Sequence, residues 1–84
     1  MEPFEKIIEN LAGIDIGDET IVVATEDDEV RTFLTFTVDL ESCIEYLKSK
    51  GTKYVVMEAT GIYWISLYEM LESHNITVKV INGS

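Results

Sequence analysis

The apolar residues of this chain change period near its midpoint, and that change restricts the elements it can form. Before Asp39 they come in three short runs: LAGIDIG (Leu11 to Gly17), TIVVATE (Thr20 to Glu26) and VRTFLTFT (Val30 to Thr37). Only the acidic GDET turn and the polar turn Asp27 to Glu29 separate them. Links this short imply an antiparallel meander, because parallel strands need a crossover of about a dozen residues or more. From Leu40 the spacing becomes helical. Leu40, Cys43, Ile44 and Leu47 fall at i, i+3, i+4 and i+7, with Asp39 placed to cap the start and Gly51 to end the helix, which predicts a helix over residues 40–50.

KYVVME (Lys53 to Glu58) then reads as a buried strand. Thr60 is placed to cap a second helix whose stripe is Trp64, Leu67, Tyr68 and Leu71, ending near His74 and Asn75, and ITVKVIN (Ile76 to Asn82) closes the chain as a fifth strand. Strand, helix, strand, helix, strand implies right-handed crossovers and parallel pairing. The expected fold class is α/β: a mixed five-stranded sheet in the order 3-2-1-4-5, three antiparallel strands followed by parallel strands with two helices. No repeat or low-complexity linker divides the chain, so residues 1–10 are a lead segment and residues 11–84 one unit.

Charge limits what such a unit does alone. The net charge is −10 over 84 residues, yet 46% of the residues are apolar, so the charge belongs to the surface of a folded domain. That surface repels phosphate, and little nucleic-acid affinity is expected of these residues by themselves. Lys48, Lys50 and Lys53 make only a small basic spot. Cys43, the single cysteine, lies on the apolar helix stripe as a core residue, which permits no internal disulfide and suits a reducing, cytoplasmic location. No apolar run approaches the roughly 18 residues of a membrane span, and the opening MEPFEKIIEN is acidic where a secretory signal is basic. The run Glu26 to Glu29 lacks the glycine and spacing of a calcium loop and reads as a solvated hairpin tip. His74, at a helix end, has no catalytic role in this reading.

The order 3-2-1-4-5 makes the first and fourth strands neighbours, about 4.8 Å apart. Asp15 and Glu58 are thereby brought within reach of each other. By the period of two, Asp15 shares its face with Leu11, Gly13 and Gly17, while Ile14 and Ile16 point the other way. Glycines beside a strand carboxylate suggest close approach of another backbone or of a ligand. At about 5 Å and an effective dielectric near 20, the two carboxylates would repel by roughly 3 kcal/mol. Water, a shared proton or a divalent cation relieves that repulsion. In the plainer reading Asp15 only begins the Gly17-Asp18 turn and Glu58 is solvated at a strand end. Spacing alone does not choose between them. Beyond Glu58, Trp64 falls on the apolar stripe and suits core packing, whereas Tyr63 points elsewhere and can stack on a base, and Gly61 can let a helix start approach a phosphate or serve as a turn glycine.

LAGIDIGDETIVVAT, VRTFLTFTVDLESCIEYLKSKG and VVMEATGIYWISLYEMLESHNITVKVING together resemble the N-terminal part of the IS-one-ten family of DEDD insertion-sequence transposases. MEATGIYW with LYEMLE is the specific part; GIDIG also opens actin-like kinases and junction resolvases. The resemblance implies a RuvC-like, ribonuclease-H-type fold in which four carboxylates bind divalent metal, Mg2+ or Mn2+, for DNA strand cleavage and transfer. The first maps onto Asp15 and the second onto Glu58, as catalytic residues and metal ligands. The other two, a DxxD motif on a later helix, have no counterpart here, nor does the domain with a serine nucleophile, so the expectation is a truncated catalytic domain, inactive alone. DNA and a guide RNA are the partners implied for the full-length protein, with self-association of the fragment. Two rival readings are an actin-like ATPase or sugar-kinase lobe, in which GIDIG would cradle phosphate but runs into Asp18-Glu19, and a non-catalytic module that pairs through its sheet edge.

Overall fold

The computed structural model describes residues 10–59 and 64–82. Five strands and two helices follow one another as β1 (Leu11–Ile16), β2 (Thr20–Thr25), β3 (Val30–Leu34), α1 (Thr37–Ser49), β4 (Tyr54–Ala59), α2 (Trp64–Ser73) and β5 (Thr77–Asn82). The sheet order is β3-β2-β1-β4-β5. β1 pairs antiparallel with β2, and β2 with β3, whereas β1 with β4 and β4 with β5 are parallel. The expected fold class and strand order both hold.

One sheet face makes the core. Ala12, Ile14 and Ile16 of β1, Ile21 and Val23 of β2, and Val55 and Met57 of β4 are buried in a single cluster with Leu40, Cys43, Ile44 and Leu47 of α1 and Leu67 and Leu71 of α2. Both helices therefore cover the same face. Each fully buried aliphatic side chain contributes about 1.5–3 kcal/mol. Cys43 has no exposed surface, and burial pushes its thiol up to about 12, so it stays protonated and inert at neutral pH. The opposite face is open among the described residues: Val30, Leu34, Tyr54 and Ile81 lie exposed on it.

Several boundaries differ from the sequence expectation. The third strand was expected to reach Thr37 but ends at Leu34, because Leu34 pairs with Thr20, the first residue of β2, and nothing beyond remains to pair with. α1 consequently begins three residues earlier than expected. Its N-cap is Phe36, with no side-chain cap bond, and Asp39 instead sits in the first turn, where its charge favours the helix dipole. Gly51 ends the helix as expected: its φ of 70° suits glycine, and Thr52 donates its N–H to the Leu47 carbonyl at 3.0 Å. α2 closes in the same way at Asn75, φ 63°, with Ile76 N–H bonded to Leu71 carbonyl. Thr60, the expected cap of α2, lies outside the described residues, as does the lead segment up to residue 9.

The acidic hairpin between β2 and β3 is more than a solvated tip. Lys50 at the end of α1 reaches Asp27 at 2.8 Å and Glu29 at 3.3 Å, and Tyr46 donates its hydroxyl to Glu29. The guanidinium of Arg31 lies 4.8 Å from the Tyr46 ring centre and 5.5 Å from that of Phe33. These contacts clasp the hairpin to α1. The Lys50 ammonium, followed by the Thr25 hydroxyl, holds the Asp27 carboxyl at about 2, below its ordinary value. A carboxylate depressed on folding stabilises fully above its ordinary value near 4, and that contribution fades as pH falls toward 2. Asp27→Asn should therefore flatten the acid limb of the stability curve. Urea midpoints taken from about pH 6 to about pH 2 would converge for the variant and the parent at the acid end; parallel curves would show that the clasp carries no pH dependence.

Candidate functional site

β1 and β4 are the adjacent central strands, and their parallel register sets Asp15 directly beside Glu58. Each acid is the fifth residue of a six-residue strand, so both stand at the carboxyl ends of the parallel pair. That is where ligands of open α/β sheets bind. Alternation explains the direction: Ile14 and Ile16, and Met57 and Ala59, turn into the core, which sends Asp15 and Glu58 to the open face. Both are exposed. With water around them the effective dielectric is closer to 80, and a pair about 5 Å apart repels by only about 1 kcal/mol. The domain tolerates that repulsion where a dry pair would threaten it.

The surroundings leave space. A Cβ built on Gly13 would meet nothing within 4 Å, and one on Gly17 only the Thr20 carbonyl at 3.9 Å. The expected close approach of another backbone at these glycines does not occur among the described residues; Gly13 instead leaves the sheet bare beside Asp15. Across β2, Asp15 faces Val22, and Lys79 of β5 lies on the same face opposite Val56. The pair thus sits on a mostly apolar floor.

Two carboxylates on one exposed surface are hard oxygen donors of the type that hold magnesium, manganese or calcium. No group of three or more His, Cys, Asp or Glu converges among the described residues, and Asp15 and Glu58 stand together as a pair. Gly61 and Tyr63 lie outside the described residues. Trp64 is half-buried against the core, edge-on to Tyr68 with ring centres 5.9 Å apart. His74 is exposed after the end of α2, and the basic spot is reduced by the engagement of Lys50 with Asp27 and Glu29. The clasp residues Tyr46, Arg31 and Lys50 escaped the sequence reading, and no local signal marks a contact that depends on residues some twenty positions apart.

An antiparallel three-stranded flank feeding a central parallel pair, with an acid near the end of each strand of that pair, places the chain among α/β proteins of the RuvC-like, ribonuclease-H-type class. Residues 12–84 match the model of the DEDD transposase family of the IS110 type, and the chain belongs to that family. Among curated proteins no match is found.

Proposed function

We propose that this chain supplies the first two acidic ligands of a divalent-cation site used by a transposase for DNA strand cleavage and transfer. The observation that carries the proposal is the register of Asp15 with Glu58 on the open face of the sheet. Family membership makes DNA the substrate class. Asp15 and Glu58 would hold Mg2+ or Mn2+ through their carboxylate oxygens, and a cation there supplies Lewis-acid polarisation of a phosphoryl oxygen and lowers the pKa of bound water. The chain's own part is to fix two ligands on rigid neighbouring strands and to leave, beside Gly13, a floor on which a backbone phosphate can rest.

Two carboxylates are too few to position attacking and leaving oxygens, so these 84 residues alone are inactive in this reading. Tyr63 and Gly61, which follow Glu58 in sequence, are the proposed contacts to unpaired bases and phosphate. A guide RNA, which the resemblance implies, self-association through exposed surface, and the reducing, cytoplasmic setting that a single cysteine suits complete the proposal.

A manganese titration followed by amide NMR tests the site in this chain. Paramagnetic broadening should centre on Asp15 and Glu58 and be lost in the Asp15→Asn, Glu58→Gln double variant. Broadening spread evenly over the acidic hairpin and helix faces, and unchanged in the variant, would refute it.

A further inference from the structure

The sheet ends on one side at β5, which pairs with β4 alone among the described residues. Thr77 donates its backbone N–H to the Lys53 carbonyl at 3.0 Å, on the β4 side. Backbone groups alternate in direction along a strand, so those of Val78 and Val80 point outward, away from β4. The side chains of the same two residues face the helix layer, where they are only half-buried. Among the described residues α2 passes beside them without closing the edge. A cavity of about 530 Å³ remains between helix and strand, lined by Trp64, Ile65, Tyr68, Glu69, Val78 and Val80.

An outward row of backbone donors and acceptors and an apolar groove thus lie along the same edge. That combination is what a sheet offers to an added strand: main-chain bonds supply affinity, and the groove selects every second side chain. The charge of the occupant follows from the rim. Among the described residues Glu69 is the one charged residue lining the groove, and Glu72, which accepts a hydrogen bond from Tyr68 at 3.1 Å, lies one turn further along α2. A second copy would bring a further net charge of −10 and its own glutamates against this rim. A lysine or arginine would instead lay its stem over Ile65 and Trp64 and set its charge against Glu69. On the opposite face the added strand meets Lys79, which disfavours a second cation there.

We propose that β5 and the groove beside α2 accept, as a sixth strand, an extended basic segment of another polypeptide, with aliphatic residues and a lysine or arginine at alternate positions facing the helix. This surface lies at the sheet edge on the helix side and is independent of Asp15 and Glu58, which occupy the other face, so its failure leaves the cation site untouched.

The test uses the 84-residue chain and the peptide acetyl-Thr-Val-Thr-Val-Thr-Lys-Thr-amide. Trp64 is the only tryptophan and reports directly on the groove. Expected are a saturable change in its emission and amide shifts centred on Val78 and Val80. The same peptide scrambled to break the alternation should not bind, and replacing its lysine by glutamate should abolish the response. Val78→Pro removes an outward N–H without removing a bond to β4, and should weaken binding about fivefold or more. Ile65→Lys, at an exposed position on the rim, sets a cation against Glu69 and should prevent binding with the urea midpoint unchanged, and it carries the test if Val78→Pro does not fold. Equal binding of the scrambled peptide, insensitivity to Ile65→Lys, or a concentration-dependent dimer that buries Trp64 in the absence of peptide would overturn the proposal, the last in favour of a second copy.

Discussion

Leu67→Ala should remove most of the stability of this domain. Leu67 and Leu71, one turn apart and both without exposed surface, are the residues through which α2 docks on the sheet. Truncating a fully buried leucine to alanine costs about 2–5 kcal/mol, the lost transfer energy plus the cavity left behind. A single small core supplies roughly 3–5 kcal/mol in total. Urea denaturation should therefore show a midpoint lowered by half or more, with residual helix signal below that of the parent even without denaturant. Ile65→Ala, two residues earlier but 46% exposed, should change stability by about 0.5 kcal/mol or less. Equal losses in the two variants would mean that α2 is not held through its buried stripe.

The second large effect concerns chemistry. In a chimera that carries these strands in place of the matching segment of an active transposase of the family, Asp15→Asn should reduce metal-dependent DNA cleavage roughly a thousandfold. Losing one ligand forfeits several kcal/mol of charge stabilisation in the transition state, and each 1.36 kcal/mol is a factor of ten. Glu58→Gln should do the same. Because both side chains are exposed, neither change should lower the urea midpoint of the 84-residue chain, and relief of their mutual repulsion should leave it equal or slightly higher. Thr32→Ser, on the same face two strands away from Asp15, is the control. A chimera that still cleaves at the parental rate after Asp15→Asn would end the assignment.

Much of the architecture was legible in the residues. The period of two in LAGIDIG set Ile14 and Ile16 on the face opposite Asp15, and the helical period assigned Leu40, Cys43, Ile44 and Leu47 to one face of α1; burial of all six bears out both. Short links made the first three strands antiparallel, and the intervening helices made the rest parallel, which is why β1 and β4 could be placed side by side. The end of β3 was not legible. VRTFLTFT keeps strand-like character to Thr37, but the ladder stops where β2 runs out, and Phe36 is left to start a helix without a side-chain cap. Asp27 and Glu29 read as solvent-facing acids because nothing near them in the sequence discloses that Lys50 and Tyr46 will be brought against them.

Periodicity and chain connectivity are local properties, so the sequence by itself determined which residues face inward, how many elements form, and that an acid would sit on each of two central strands. Register is not local: whether Asp15 lies beside Glu58 or beside a neighbour two residues away depends on how the core side chains of β1 and β4 interlock beneath the helices. A slip of one residue would have turned one acid into the core, and burial of Ile14 against Met57 excludes it. The tertiary structure alone decided that alignment, and with it the pairing of the two carboxylates on the open face.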